Sequence, residues 1–166
     1  MILLAVCWYL RYELSYRDIA ELLAERGIEV DHVTIYRWVY RFTLLLIEVA
    51  RSCRHAVGDR WFVDETYVKV AGVWRYVCRA VDQHGQVIDV CVLKRRNLYA
   101  ARHFFTTVLV AHGRPTEVTT DLAAPLLRVV DELLPEVVHE TEQYVNNRIE
   151  NDHGRLKARL RPMCGL

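Results

Sequence analysis

The sequence predicts a mixed α/β fold that follows a small region made of helices alone. Apolar residues recur at helical spacing, without strand-like alternation, through residues 1–55. Segments rich in Val, Ile, Tyr and Trp then alternate in strand fashion over residues 61–93, and helical and strand patterns take turns after that. We therefore expect a helical region over 1–55 and one α/β domain over 56–166.

Two helices separated by a short turn are expected in the first region. Ser15 followed by Asp18 matches a capping box, Gly27 is suited to end that helix, and Asp31 is suited to cap the next one. This is the spacing of a helix-turn-helix unit, whose second helix lies in the DNA major groove. Its exposed side chains would include His32, Thr34, Arg37 and Arg41. An ordinary helical hairpin with a solvated arginine face fits the same pattern.

The apolar run of residues 1–10 is too short to span a bilayer and lacks a basic lead-in, so we expect a buried helix. The 5 cysteines are scattered, with no C-x-x-C pair, which is typical of free thiols in a reducing cytosol. Net charge is only +1, but residues 69–102 carry +5 and residues 146–166 carry +3. Such blocks suit a face that meets phosphates, although solvated surfaces also produce them.

Three strands are expected at Trp61–Val70, Val73–Asp82 and Val87–Leu93. Turn residues at Ala71-Gly72 and at Gln83-His84-Gly85 join them. The short connections predict an antiparallel meander.

Helices and strands alternate in the rest of the chain. Asn97 is suited to cap a helix that ends at His112-Gly113. The elements predicted after it are a strand at 117–121, a helix at 125–134, a strand at 137–139 and a helix at 146–160. Three strands followed by helix, strand, helix, strand, helix is the order of the ribonuclease H-like fold, a mixed sheet with helices on its faces.

Three carboxylates are candidates for chemistry. Asp64 lies in an otherwise apolar strand, where an unpaired charge is costly, and Asp121 ends a core strand. Glu150 flanks the apolar stripe of the last helix, with Asn147 one turn before it and Lys157 on the same side seven residues later. Converging carboxylates repel one another and suit hard divalent ions such as Mg²⁺. A pair of such ions is suited to phosphoryl transfer.

Several longer motifs resemble the DDE transposases of bacterial insertion-sequence family six. In the α/β domain they are WFVDETYVKV at 61–70, WRY at 74–76, AVD at 80–82, TTD at 119–121 and YVNNRIENDH at 144–153. In the helical region they are RYELSYRD at 11–18 and VDHVTIYRW at 30–38. The resemblance covers nearly the whole chain.

The resemblance implies that Asp64, Asp121 and Glu150 form the catalytic triad and bind Mg²⁺ or Mn²⁺, with two ions expected. It implies that water and then a freed 3′ hydroxyl attack phosphodiesters at the element ends and at the target, giving cointegrates. Lys157 matches a basic residue thought to contact the transposon end, and we add Asn147 to the expected DNA contacts. The partners would be double-stranded terminal inverted repeats, target DNA and further copies of the chain, in the bacterial cytoplasm near the nucleoid and away from membranes.

Departures from the family pattern accompany this resemblance. Only 28 residues separate Asp121 from Glu150, Leu122-Ala-Ala follows Asp121, and the chain stops at Leu166 where family members continue. We therefore expect a truncated carboxyl end. The alternatives are an inactive remnant that only binds DNA, a ribonuclease that cuts RNA in hybrids, and an α/β domain with incidental acids. Glu65 is left out of the triad because alternation points it to the opposite strand face from Asp64.

Overall fold

The computed structural model of the protein describes residues 1–12, 14–70, 72–141 and 153–158. These residues form two compact units. One unit contains Met1–His55 together with the described residues from Arg155 onward, and the other contains Ala56–Gly154. Within the described ranges, no helix combines the length and the apolar character needed to span a bilayer.

The first unit contains α1 (Ile2–Arg11), α2 (Tyr16–Ala24) and α3 (His32–Ser52). Each helix contributes one apolar stripe to a shared core, as amphipathic helices do when they pack against one another. The buried members of that core are Ala5, Val6, Tyr9, Ile19, Leu23, Ile35 and Val39. The first apolar run is thus a packed helix, as expected.

Local chemistry sets both ends of α2. The hydroxyl of Ser15 accepts a hydrogen bond from the Asp18 N–H at 3.2 Å, and the Asp18 carboxylate accepts one from the Ser15 N–H at 2.7 Å. Gly27 adopts φ +75°, which costs glycine little, and the Ile28 N–H reaches the Leu23 carbonyl at 2.9 Å. The predicted capping box and glycine stop are confirmed.

The start of α3 also follows the prediction, but its end does not. The Asp31 carboxylate accepts a hydrogen bond from the Val33 N–H at 3.3 Å, which caps the helix. The polar run of residues 51–55 predicts a short linker between the two regions, whereas α3 continues through Ser52. No glycine or proline occurs between residues 28 and 57, so nothing in that stretch forces an earlier end.

Five strands make up the sheet of the second unit. They are β1 (Arg60–Val70), β2 (Val73–Asp82), β3 (Val87–Leu93), β4 (Glu117–Thr120) and β5 (Val138–Glu140). Their order is β3-β2-β1-β4-β5. The β1, β2 and β3 strands pair antiparallel, as short turns require, whereas β4 and β5 run parallel to β1. The predicted meander and mixed sheet are confirmed.

In the described part of this unit, α4 (Leu98–His112) and α5 (Ala124–Leu133) pack on one face of the sheet. The Asn97 side chain caps α4 by accepting a hydrogen bond from the Ala100 N–H at 2.8 Å. The core between helices and sheet includes Trp61, Val63, Phe104, Phe105, Val118 and Leu126. Of the helix predicted at 146–160, residues 153–158 are described and are helical, and the remainder lies outside the described residues.

Candidate active site

Two of the three predicted carboxylates come from neighbouring strands. In the parallel ladder of β1 and β4 the last pair is Val63 with Thr120, so Asp64 and Asp121 occupy the next positions along the two chains. Neighbouring strands lie about 4.8 Å apart. Residues 57 positions apart in the sequence therefore meet, because β1 and β4 are adjacent in the sheet.

Asp64 is mostly buried, with 14% of its side chain exposed, and two contacts hold it among the residues that the structure describes. One carboxylate oxygen accepts the Glu65 N–H at 2.7 Å, and the other lies 3.3 Å from His153 Nδ1. His153 is itself buried, and its Nε2 has no hydrogen-bond partner among the residues that the structure describes. No role for His153 was predicted from the sequence. The signal was its position three residues after Glu150, on one side of the same predicted helix.

Asp121 is held by its own turn. Its Oδ1 accepts a hydrogen bond from the Ala123 N–H at 3.1 Å. The preceding Thr120 is buried, and its hydroxyl lies 2.9 Å from His139 Nε2 on β5, which fixes the end of β4. Burial raises the pKa of Asp121, and the charge of Asp64 raises it further. The Ala123 N–H and Arg96 lower it, but the net shift is upward.

Arg96, in the turn after β3, joins two acids. Its Nε lies 2.5 Å from a Glu65 carboxylate oxygen, and its Nη2 lies 3.5 Å from Asp121 Oδ2. Only 3% of the Glu65 side chain is exposed, and burial raises its pKa although the ion pair with Arg96 lowers it. Sequence reasoning missed this link. Its only signal was the basic run from Lys94 to Arg96 directly after a predicted strand.

The other predicted site residues fall in three places. Glu150 and Asn147 lie outside the described residues. Lys157 is exposed and belongs to the first unit. Among the predicted DNA contacts on α3 of that unit, His32, Arg37 and Arg41 are exposed and Thr34 is half-buried.

The donor chemistry of this site fits a hard divalent cation. Asp64 and Asp121 supply carboxylate oxygens side by side, and burial together with the charge of Asp64 raises the pKa of Asp121, so a bound cation would stabilise its ionised form. Within residues 1–12, 14–70, 72–141 and 153–158, no three acidic, histidine or cysteine side chains form a metal-binding group. Among the described residues, the metal-binding donors are therefore the two carboxylates of Asp64 and Asp121.

Comparison with known sequences identifies relatives along almost the whole chain. The family profile DDE_Tnp_IS240, described as a DDE domain, matches residues 58–166. The transposase of the insertion sequence-like element IS431mec from Staphylococcus aureus strain N315 is 39% identical over 165 residues, which cover 96% of this chain and 73% of the relative. The transposase of IS257 in transposon Tn4003 from Staphylococcus aureus is 38% identical over the same shares.

Comparison with solved structures finds the same fold in viral integrases. The HTLV-2 integrase catalytic core domain, solved with magnesium in a dimeric form, matches with a TM-score of 0.51 and 20% identity over 63% of this chain and 70% of that one. An integrase chain of the simian T-cell lymphotropic virus intasome, in complex with PP2A regulatory subunit B56 gamma, matches with a TM-score of 0.50 and 19% identity. That match covers 63% of this chain and 40% of the viral one. The fold is therefore the ribonuclease H-like fold that the element order predicted.

Proposed function

Because the chain belongs to the DDE transposases of insertion sequences, a family of polynucleotidyl transferases, we propose that it cuts and joins the DNA ends of its element. Water first attacks a phosphodiester at each end and frees a 3′ hydroxyl. That hydroxyl then attacks a phosphodiester of the target, so a new phosphodiester forms as a target bond breaks and a cointegrate results. The observation that carries this proposal is the meeting of Asp64 and Asp121 at adjacent strand positions.

We propose that Asp64, Asp121 and Glu150 are the catalytic acids and hold two Mg²⁺ or Mn²⁺ ions. The family is metal-dependent. When bound, such ions polarise the attacking and leaving oxygens. The described residues keep the two acids in position: His153 contacts Asp64, the Ala123 N–H holds Asp121, and Arg96 ties Asp121 to Glu65. Positions fixed before the reaction lower the barrier to phosphoryl transfer.

DNA recognition is proposed for the helical unit. Arginine binds guanine through two hydrogen bonds or pairs with phosphate, and both Arg37 and Arg41 are exposed on the helix that follows the turn. His32 and Thr34 lie near the start of the same helix. Lys157 and Asn147 are proposed to contact the transposon end. We propose that the substrates are terminal inverted repeats and target duplexes, and that two or more copies of the chain work on paired ends in the bacterial cytoplasm.

The test is metal-dependent nicking and joining of DNA that carries the ends of the element. Asp64→Asn and Asp121→Asn should each lower the rate by about a thousandfold or more, because each removes a charged metal ligand that stabilises the transition state. Asp89→Asn is the matched control. Like Asp64, Asp89 lies in a strand and accepts the N–H of the next residue, at 2.8 Å, but it is not part of the site.

Circular dichroism and thermal melting would establish that each variant is folded. Cleavage by a folded Asp64→Asn or Asp121→Asn variant at the unaltered rate would remove that acid from the mechanism. Salt-dependent, sequence-specific binding of the ends without any cleavage by the unaltered chain would support the DNA-binding remnant instead.

A further inference from the structure

An aromatic surface covers the end of the β1–β2 hairpin. Tyr67 and Lys69 on β1 lie opposite Tyr76 and Trp74 on β2, in the pairs Tyr67 with Tyr76 and Lys69 with Trp74. Strand alternation places all four on the sheet face that carries Glu65. Further along the hairpin this face is buried by the core, but here 62% of Trp74 and 46% of Tyr67 are exposed. We call Tyr67, Lys69, Trp74 and Tyr76 the hairpin patch.

The rings of the hairpin patch contact one another in an ordered way. The Tyr67 and Tyr76 centroids are 4.2 Å apart, and Trp74 stands edge-on to Tyr67 with centroids 6.4 Å apart. The hydroxyls of the two tyrosines are hydrogen-bonded to each other. Three adjacent aromatic side chains open to solvent are unusual for a surface without a partner, since apolar area is normally removed from water.

The hairpin patch is linked to the candidate active site through Arg96, since strand alternation turns Asp64 itself to the other face of β1. Glu65 is two residues before Tyr67 on the same strand face, a distance of about 7 Å. Arg96 contacts Glu65 at 2.5 Å and Asp121 at 3.5 Å. A continuous row of side chains therefore leads from a proposed catalytic acid to the aromatic rings.

The charge around the hairpin patch favours a polyanion. No aspartate or glutamate occurs between residues 66 and 81. Lys69 is exposed beside Trp74, and Lys94 and Arg95 are exposed in the turn that carries Arg96. Aromatic faces combined with cations form the usual surface for single-stranded nucleic acid, because every base has a face that stacks and every linkage has a phosphate.

We propose that the hairpin patch stacks unpaired bases of the DNA strand next to the phosphodiester in the active site. This inference rests on the proposed function, since it requires DNA at the carboxylates. Paired bases hide their faces inside the duplex, so the hairpin patch selects bases that are already unpaired or have been opened. Lys69 pairs with a backbone phosphate while Trp74, the most exposed ring, stacks on a base.

The experiment measures binding of the full chain, with EDTA present so that no cleavage occurs, to two oligonucleotide probes. One probe is a blunt duplex, and the other is the same duplex with a short single-stranded tail that contains 2-aminopurine, whose fluorescence falls on stacking. Trp74→Leu removes the stacking face but keeps an apolar side chain, whereas Trp74→Phe keeps an aromatic ring. Val110→Asn is the control on α4, outside both the hairpin patch and the candidate active site, where Val110 is 85% exposed.

We expect Trp74→Leu to weaken binding of the tailed probe about tenfold, the effect of losing one stacked base, and to abolish the quenching. Binding of the blunt duplex should change little, and Trp74→Phe and Val110→Asn should behave as the unaltered chain. Equal weakening of both probes, or no weakening of either, would overturn the proposal. A change in elution volume on size exclusion without a change in tailed-probe binding would also overturn it, because it would assign the rings to a contact between copies.

The failure of this inference can be told apart from the failure of the proposed function. If the blunt duplex binds and metal-dependent cleavage proceeds while Trp74→Leu has no selective effect, only the stacking inference fails. If the unaltered chain binds neither probe, both fail together.

Discussion

Two regions of the same sheet differ in how the charges of their carboxylates are stabilised. Asp82, which pairs with Trp61 in the ladder, is 1% exposed and accepts hydrogen bonds from the N–H groups of Gly58, His84 and Gln86 at 2.8 to 3.2 Å. Three residues further along β1, Asp64 accepts a single backbone hydrogen bond from within the described ranges, and so does its neighbour Asp121.

A structural acid and a proposed reactive acid are thus distinguished by the number of backbone donors around them. Three backbone N–H groups stabilise the negative charge of Asp82 inside the turn, so no cation is needed there. Asp64 and Asp121 lie side by side with fewer donors, and burial together with Asp64 raises the pKa of Asp121. The fold maintains this unfavourable arrangement because the rest of the sheet is well packed, as is common at functional sites.

The largest expected change in stability is that of the Asp82→Ala variant. The variant removes the shared acceptor of three part-buried hydrogen bonds, so the free energy of unfolding should fall by about 2–4 kcal/mol. Urea unfolding followed by circular dichroism measures it. Asp89→Ala, which removes one backbone hydrogen bond at a partly buried position, should cost less than about 1 kcal/mol. Similar losses in both variants would mean that Asp82 has no special structural role.

Arg96→Gln should have an intermediate effect. It leaves the buried Glu65 carboxylate without its ion pair, and we expect a loss of about 1–2 kcal/mol at neutral pH, moderated because Arg96 is 35% exposed. Adding Glu65→Gln should recover most of the loss, because the unpaired charge is then gone. Arg102→Gln, which breaks an exposed pair with Glu132, should stay within about 0.5 kcal/mol. An Arg96→Gln variant as stable as the parent would show that the pair contributes nothing.

The smallest expected effect is a change in how the free energy of unfolding depends on pH in the Asp121→Asn variant. Because the pKa of Asp121 is raised in the folded state, that state binds the proton more tightly than the unfolded chain does, so stability falls as pH rises above the ordinary value of 3.8. Asparagine cannot lose that proton and can still accept from the Ala123 N–H. In EDTA, the variant should therefore become the more stable protein as pH increases, by at most about 0.5 kcal/mol since the side chain is 40% exposed.

Urea titrations at several pH values measure this difference. Saturating Mg²⁺ should reverse the order at neutral pH, because ligand binding stabilises only the chain that retains the carboxylate. A stability difference that grows as pH falls would contradict the assigned sign.

Prediction from the sequence succeeded where local chemistry decides the structure. The Ser15–Asp18 capping box, the glycine after α2, the Asn97 cap and the three strands of the meander all follow from residues within a few positions of one another. Hydrophobic periodicity and turn residues act over the same short range. The errors were confined to element ends, such as the continuation of α3 through Ser52, where fraying and weak stop signals leave the boundary open.

Motifs and local patterns in neighbouring residues were enough to identify the family, the order of elements and the positions of Asp64 and Asp121. Which charges meet one another depends on the tertiary structure. Arg96, Glu65, His153 and Asp121 come from separate parts of the chain, and their ion pairs depend on the placement of β4 beside β1 and on side-chain distances of 2.5 to 3.5 Å. Coulomb and hydrogen-bond energies fall steeply with distance, so they act only after the sheet has brought these groups together.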